Sequence, residues 1–161
     1  SRRRHTRFRN VTGVQTCALP ICWVYPWQPD RKDFGISFLC TNNSFLPGYL
    51  IRHQLWYYQN LVNIPKSFWS SRWRPVDETK LIPTRSDGLN EKVELFYSMY
   101  SFCPENSSQR NYFTEKILDC FVTKTVPVYW GCPNIGDYFD LNGIILVSDI
   151  QDAIKIGRAH V

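Results

Sequence analysis

Several short runs of this chain are apolar at nearly every position: ISFLCT from Ile36 to Thr41, MYSFCP from Met99 to Pro104, VPVYW from Val126 to Trp130 and IILV from Ile144 to Val147. Successive side chains of a strand point to opposite faces, so a run without polar alternation needs apolar cover on both sides. A parallel sheet flanked by helices supplies that cover. The intervening segments provide the helices. LIRHQLWYYQNLV sets Leu50, Ile51, Leu55, Tyr58 and Leu61 at helical spacing, and Thr114 to Lys124 sets Ile117, Leu118, Phe121 and Val122 on one face with Glu115 in the first turn. A brief helix is expected at Glu91 to Tyr97, and a further one from Ser148 towards Lys155. Between residues 63 and 90, Pro, Ser, Trp and charge without a period predict connecting structure with one short strand near Lys66 to Trp69. Strands alternating with helices predict an α/β fold built on a Rossmann-like parallel sheet.

The two ends do not read as part of that fold. One DNA reading of the terminal IGRAHV is ATC GGA AGA GCA CAC GTC, and its complementary strand in a shifted frame encodes Thr16-Cys-Ala-Leu-Pro-Ile21. A sequencing adapter ligated at both ends produces this match, so residues 1–21 and 156–161 are expected to be adapter-derived. The protein's own sequence is then 22–155, expected to be truncated on both sides. Arg2, Arg3, Arg4, Arg7, Arg9 and Arg158 lie in those flanks; without these six, the 19 Lys and Arg fall to 13 against 14 Asp and Glu. The formal charge of +5 therefore carries no argument for nucleic acid, which requires a clustered basic face.

The remaining length suits one domain. No apolar run reaches the roughly 20 residues that span a bilayer. Of the six cysteines, Cys17 and Cys22 lie in or beside the suspect end, and Cys40, Cys103, Cys120 and Cys132 sit in apolar stretches at irregular spacing. They are expected to be small buried hydrophobes rather than disulfides or zinc ligands. His53 is the one histidine between the flanks, so neither a histidine metal cluster nor a histidine triad is expected.

The chemistry concentrates in ENSSQRNYFTEKILD, Glu105 to Asp119. A polar loop here leaves the carboxyl end of a strand and enters a helix N-terminus, where free N–H groups and the helix dipole attract anions. Open α/β sheets bind ligands outside the carboxyl ends of their strands. A phosphate site with Lys116 as charge partner is one reading. The other is that Asn106 and Ser107 are turn residues, Thr114 an N-cap, and Glu115 and Lys116 a solvated first turn. Asn42-Asn43-Ser44 and Asn106-Ser107-Ser108 fit the glycosylation pattern, but both read as turns.

ENS, Tyr112-Phe-Thr-Glu-Lys116 and TVPVYWGCPNIGDYF from Thr125 to Phe139 together resemble the donor-binding motif of the α-1,3/1,4-fucosyltransferases, glycosyltransferase family 10. The resemblance extends upstream to SFLCTNN and to LIRHQLWYYQNL, which is similar to a family helix with an arginine at its start. It implies the C-terminal half of a GT-B glycosyltransferase, a truncated nucleotide-sugar-binding domain. It also implies that Arg52 and Lys116 contact the diphosphate of GDP-fucose, that Glu115 accepts hydrogen bonds from the ribose, and that Asn106 and Tyr112 line the site. Glu105 takes a site or supporting role. A guanidinium and an ammonium are apt ligands for a diphosphate.

Members of this family invert the anomeric carbon: an acceptor hydroxyl, deprotonated by a carboxylate, displaces GDP. The resemblance puts that general base in an N-terminal, acceptor-side domain that this chain lacks, so the fragment alone is expected to bind donor without turnover. The implied partners are a nucleotide sugar, a glycan acceptor and that second domain. No Asp-x-Asp pair precedes a helix, and Asp137 and Asp140 flank aromatics, so no obligatory metal or other cofactor is expected. Two other readings fit: a GT-B transferase using a different nucleotide sugar, and a non-catalytic carbohydrate- or nucleotide-binding module. Bacterial or viral members would be cytoplasmic or membrane-peripheral, and eukaryotic ones would sit in the Golgi membrane.

Overall fold

A computed structural model of the chain describes residues 29–41, 43–70, 80–81 and 92–156. Six strands form one sheet: β1 (Asp33–Cys40), β2 (Lys66–Ser70), β3 (Lys80–Leu81), β4 (Ser98–Pro104), β5 (Val126–Trp130) and β6 (Ile145–Leu146). Every pairing is parallel and the order is β3-β2-β1-β4-β5-β6. The helices are α1 (Pro47–Tyr57), α2 (Glu115–Val122) and α3 (Ile150–Lys155), with short 3-10 turns at Gln59–Leu61, Val93–Tyr97, Ile135–Asp137 and Leu141–Gly143. The α/β parallel-sheet fold expected from the apolar runs is present.

The two faces are covered as the strand alternation demands. Phe38 of β1, Phe102 of β4 and Val128 of β5 join Leu55 and Trp56 of α1 and Ala153 and Ile154 of α3 in one apolar layer. Their chain neighbours Cys103 and Tyr129 point the other way, into a layer with Leu95 and Phe96 of the 3-10 turn and Ile117 and Cys120 of α2. Crossovers between parallel strands are right-handed. The chain steps from β1 to β2 in one direction and from β4 to β5 in the other, so α1 and α2 land on opposite faces. The loops leaving β1 and β4 diverge, and a crevice opens between them.

Cys40, Cys103, Cys120 and Cys132 are all free and buried, as their apolar settings predict. Ile156, at the head of the carboxyl-terminal stretch set aside above, packs into the α1 layer. Residues 1–28 and 157–161 lie outside the described residues, as does most of the segment from 71 to 91. No helix among the described residues is long and apolar enough to cross a membrane.

Two elements begin elsewhere than the sequence suggests. Pro47-Gly48 reads as a turn, yet Pro47 opens α1, where its missing N–H costs nothing. Arg52 is therefore in the second turn of its helix rather than at its start. The segment from Glu91 to Tyr97, read as a brief helix, settles as a 3-10 turn from Val93.

Candidate functional site

The crevice holds a cavity of about 270 Å³ at the carboxyl ends of β1 and β4, between α1, α2 and the 3-10 turn that precedes β4. Thr41, Arg52, Lys92, Asn106, Lys116 and Asp119, with Asn43 and Ser101, supply its polar lining. A larger depression of about 480 Å³ lies at the opposite edge, where the amino ends of β1, β2 and β4 begin. Its basic and acidic pair, Arg31 and Asp33, is solvent-exposed at 3.7 Å. Ion pairs that open to water contribute little. The smaller cavity lies where the strand order reverses and the loops separate, which is where sheets of this kind bind ligands.

Arg52 is only 5% exposed. It donates from Nη1 to Asn106 Oδ1 at 3.2 Å and from Nη2 to the Pro104 carbonyl, and its guanidinium lies 5.3 Å over the Tyr49 ring. Burial lowers its pKa and the Glu105 charge opposes that shift. The arginine thus ties α1 to the end of β4. On the far side of the loop after β1, His53 Nε2 lies 2.8 Å from the Asn43 carbonyl oxygen and 3.2 Å from that of Thr41. The Thr41 hydroxyl is buried, lines the cavity and has no hydrogen-bond partner among the described residues.

The N-terminus of α2 is met by a carboxylate of the chain itself. Glu105, wholly buried, turns its carboxylate onto it: Oε1 accepts the Thr114 N–H at 2.7 Å, and Oε2 accepts the Thr114 hydroxyl at 2.7 Å and the Lys116 ammonium at 3.3 Å. Lys116 also donates to Thr114 Oγ1 at 2.7 Å. The chain's own glutamate therefore meets the dipole of α2. Thr114 is the N-cap, as the second of the two sequence readings has it.

Glu115 sits just outside, its Oε1 3.6 Å from the Lys116 ammonium and 3.9 Å from that of Lys92. Burial pulls its pKa upward, but Lys116, Lys92 and hydrogen bonds from its own N–H and the Thr114 side chain together hold the carboxyl below the ordinary glutamate range. A carboxylate depressed in this way stabilises the fold above its unfolded pKa, and that stability is lost as pH falls through the lower folded value. Glu115→Gln is expected to shrink the loss in that acid window. Urea unfolding of wild type and variant across acid pH measures it, and curves that stay parallel would count against the pairing.

The loop between β4 and α2 is clipped to the loop after β5. Asn111, at φ 61, donates its N–H to Asn134 Oδ1 at 2.9 Å, and Asn111 Oδ1 accepts from Asn134 Nδ2 at 2.8 Å and from the Tyr138 hydroxyl at 2.7 Å. Phe113 packs against Tyr138 and Phe139 at ring separations of 5.0 and 5.3 Å. RNYFTEK and GCPNIGDYF are thus two sides of one support.

Of the six site residues predicted from sequence, Arg52, Asn106 and Lys116 line the cavity. Glu105 is buried beneath it, Glu115 pairs with two of its lysines, and Tyr112 is half-buried on the loop without lining it. Lys92, Asp119 and Thr41 line it without having been singled out. Lys92 had no motif to mark it, and what brings it here is the packing of the 3-10 turn against α2. Among the described residues no three His, Cys, Asp or Glu side chains gather as a metal group would require.

No family model matches the chain. It is 37% identical over 73 residues to the α-(1,3)-fucosyltransferase FucT of Helicobacter pylori, a match covering 40% of this chain and 15% of that enzyme. A crystal structure of α1,3-fucosyltransferase with GDP-fucose superposes on 81% of the chain with a TM-score of 0.56 and 25% identity. A structure of α1,3-fucosyltransferase with GDP also covers 81%, at a TM-score of 0.53 and 22% identity. The chain spans 36% of each of these solved structures.

Proposed function

We propose that residues 22–155 form the C-terminal, donor-binding domain of an inverting family 10 fucosyltransferase of GT-B architecture, with both ends of the chain adapter-derived. The observation that carries this reading is the gathering of Arg52, Asn106 and Lys116, which belong to separate sequence motifs, around one cavity at the reversal of strand order. The likeness to fucosyltransferases solved with GDP-fucose and with GDP supports the choice of donor.

In this proposal the cavity holds the diphosphate of GDP-fucose. Arg52 and Lys116 supply positive charge where the leaving group becomes more negative, the half of the reaction that a donor domain can provide. Their cations carry that charge without an obligatory metal. The acceptor hydroxyl and the carboxylate that deprotonates it belong to the acceptor-side domain of the whole enzyme.

Thermal unfolding of the chain with GDP, and with UDP as control, tests the reading. A ligand that binds only the native state stabilises it by about 2.7 kcal/mol at one hundred times its Kd. GDP is expected to raise the midpoint, UDP to do so less, and Lys116→Ala to abolish the difference. Equal shifts with both nucleotides would point to a different donor, and no shift with either would sink the assignment.

A further inference from the structure

We propose that Lys92 is a third phosphate-binding cation of the cavity, acting beside Lys116 on the diphosphate of a nucleotide ligand. The inference rests on the donor-site reading of that cavity. Lys92 immediately precedes the 3-10 turn, whose Leu95 and Phe96 are buried in the α2 layer, and this packing carries the lysine to the cavity wall. Arg52 reaches the same space from α1 and Lys116 from the first turn of α2.

Three cations facing one cavity repel one another. Burial lowers the pKa of Lys92; Glu115 and Asp119 act against that shift, and the charges of Lys116 and Arg52 add to it. Three carboxylates, Glu105, Glu115 and Asp119, stand beside them. Glu105 is taken up by Thr114 and Lys116, and Glu115 Oε1 lies 3.6 and 3.9 Å from the Lys116 and Lys92 ammoniums. Asp119 is buried on the next turn of α2. A diphosphate offers several oxygens with at least two negative charges, enough to seat both ammoniums at once. On binding, Lys92 and Lys116 turn from the shared Glu115 oxygen to separate phosphate oxygens. The Thr41 hydroxyl in the same wall, without a hydrogen-bond partner among the described residues, is a further donor for such a ligand.

Calorimetric titration of the full chain with GDP, GMP and guanosine at low salt tests this, using wild type, Lys92→Met, Lys92→Arg and Lys116→Ala. Hydrogen bonds to charged groups are strong enough that Lys92→Met is expected to weaken GDP about ten-fold or more. GMP should lose less, guanosine nothing, and Lys92→Arg should recover most of the GDP affinity. If Lys92→Met weakens all three equally, or leaves GDP unchanged where Lys116→Ala weakens it, Lys92 is not a phosphate ligand and the donor site stands without it. If wild type binds no GDP, the donor-site reading falls and takes this proposal with it. Should Lys92→Met fail to fold, Lys92→Gln answers the same question with a neutral polar side chain.

Discussion

Glu105→Ala is expected to lower the unfolding free energy of the chain by about 3 to 5 kcal/mol, the usual result of removing one partner from a buried, hydrogen-bonded charge network. The carboxylate is fully buried and three donors converge on it: the Thr114 N–H, the Thr114 hydroxyl and the Lys116 ammonium. Alanine leaves the amide at the head of α2 without an acceptor and leaves a half-buried ammonium with Thr114 Oγ1 and the more distant Glu115. It also empties space that Gly131 keeps open, since a Cβ on that glycine would come within 2.6 Å of Glu105 Cγ. Glu105→Gln keeps shape and one carbonyl acceptor, so its cost should be smaller, about 1 to 3 kcal/mol. Urea unfolding of the three proteins decides the matter, and a loss under about 1 kcal/mol for alanine would mean that the network contributes little.

This arrangement also shows where the sequence could and could not be read. A polar loop entering a helix N-terminus at the end of a strand is legible in ENSSQRNYFTEK, and so is the attraction of that helix end for an anion. The identity of the anion was not, because the nearest one is Glu105 itself, and only the fold of the loop brings its carboxylate back onto Thr114. Arg52 reads from the family resemblance as a phosphate ligand at the start of its helix. Its burial against Asn106 and Pro104 follows from α1 starting at Pro47, a turn earlier than the apolar spacing alone implies. Lys92 could not be found by motif at all, since its place depends on a 3-10 turn packing against a helix that follows later in the chain.

The sheet was more legible than the site. β5 was expected at Val126 to Trp130 and occupies those residues, because the four β-formers around Pro127, bounded by Gly131, leave little choice. β1 and β4 were found to within a few residues for the same reason. β3 was missed: Lys80–Leu81 is two residues long and lies in a stretch without any period. Strand order was not written in any single run either. It emerges from which apolar faces can be covered together, and it decides where the crevice opens.

Gly48→Ala is expected to damage stability and site together, by about 3 kcal/mol or more, at the upper end of what overpacking costs because backbone meets backbone. A Cβ at this position would lie 1.7 Å from the Glu105 carbonyl oxygen and 2.8 Å from its carbonyl carbon, and neither can rotate away as a side chain would. Relief requires α1 to back off from the end of β4. That movement breaks the Gly48 N–H bond to the Asn106 carbonyl, now 3.0 Å, and draws Arg52 away from Asn106 and Pro104. Nucleotide affinity should therefore fall even under conditions where the variant is folded, although residue 48 is not among those lining the cavity. Gly143→Ala is the matched control, because a Cβ there meets nothing within 4 Å, and it should change neither property measurably. Denaturant unfolding and GDP titration of both variants supply the comparison. If Gly48→Ala kept wild-type stability, α1 would not be seated against β4 as described. If it lost stability but bound GDP as tightly as wild type, the α1–β4 contact would be structural only, and Arg52 would not depend on it for its place at the cavity.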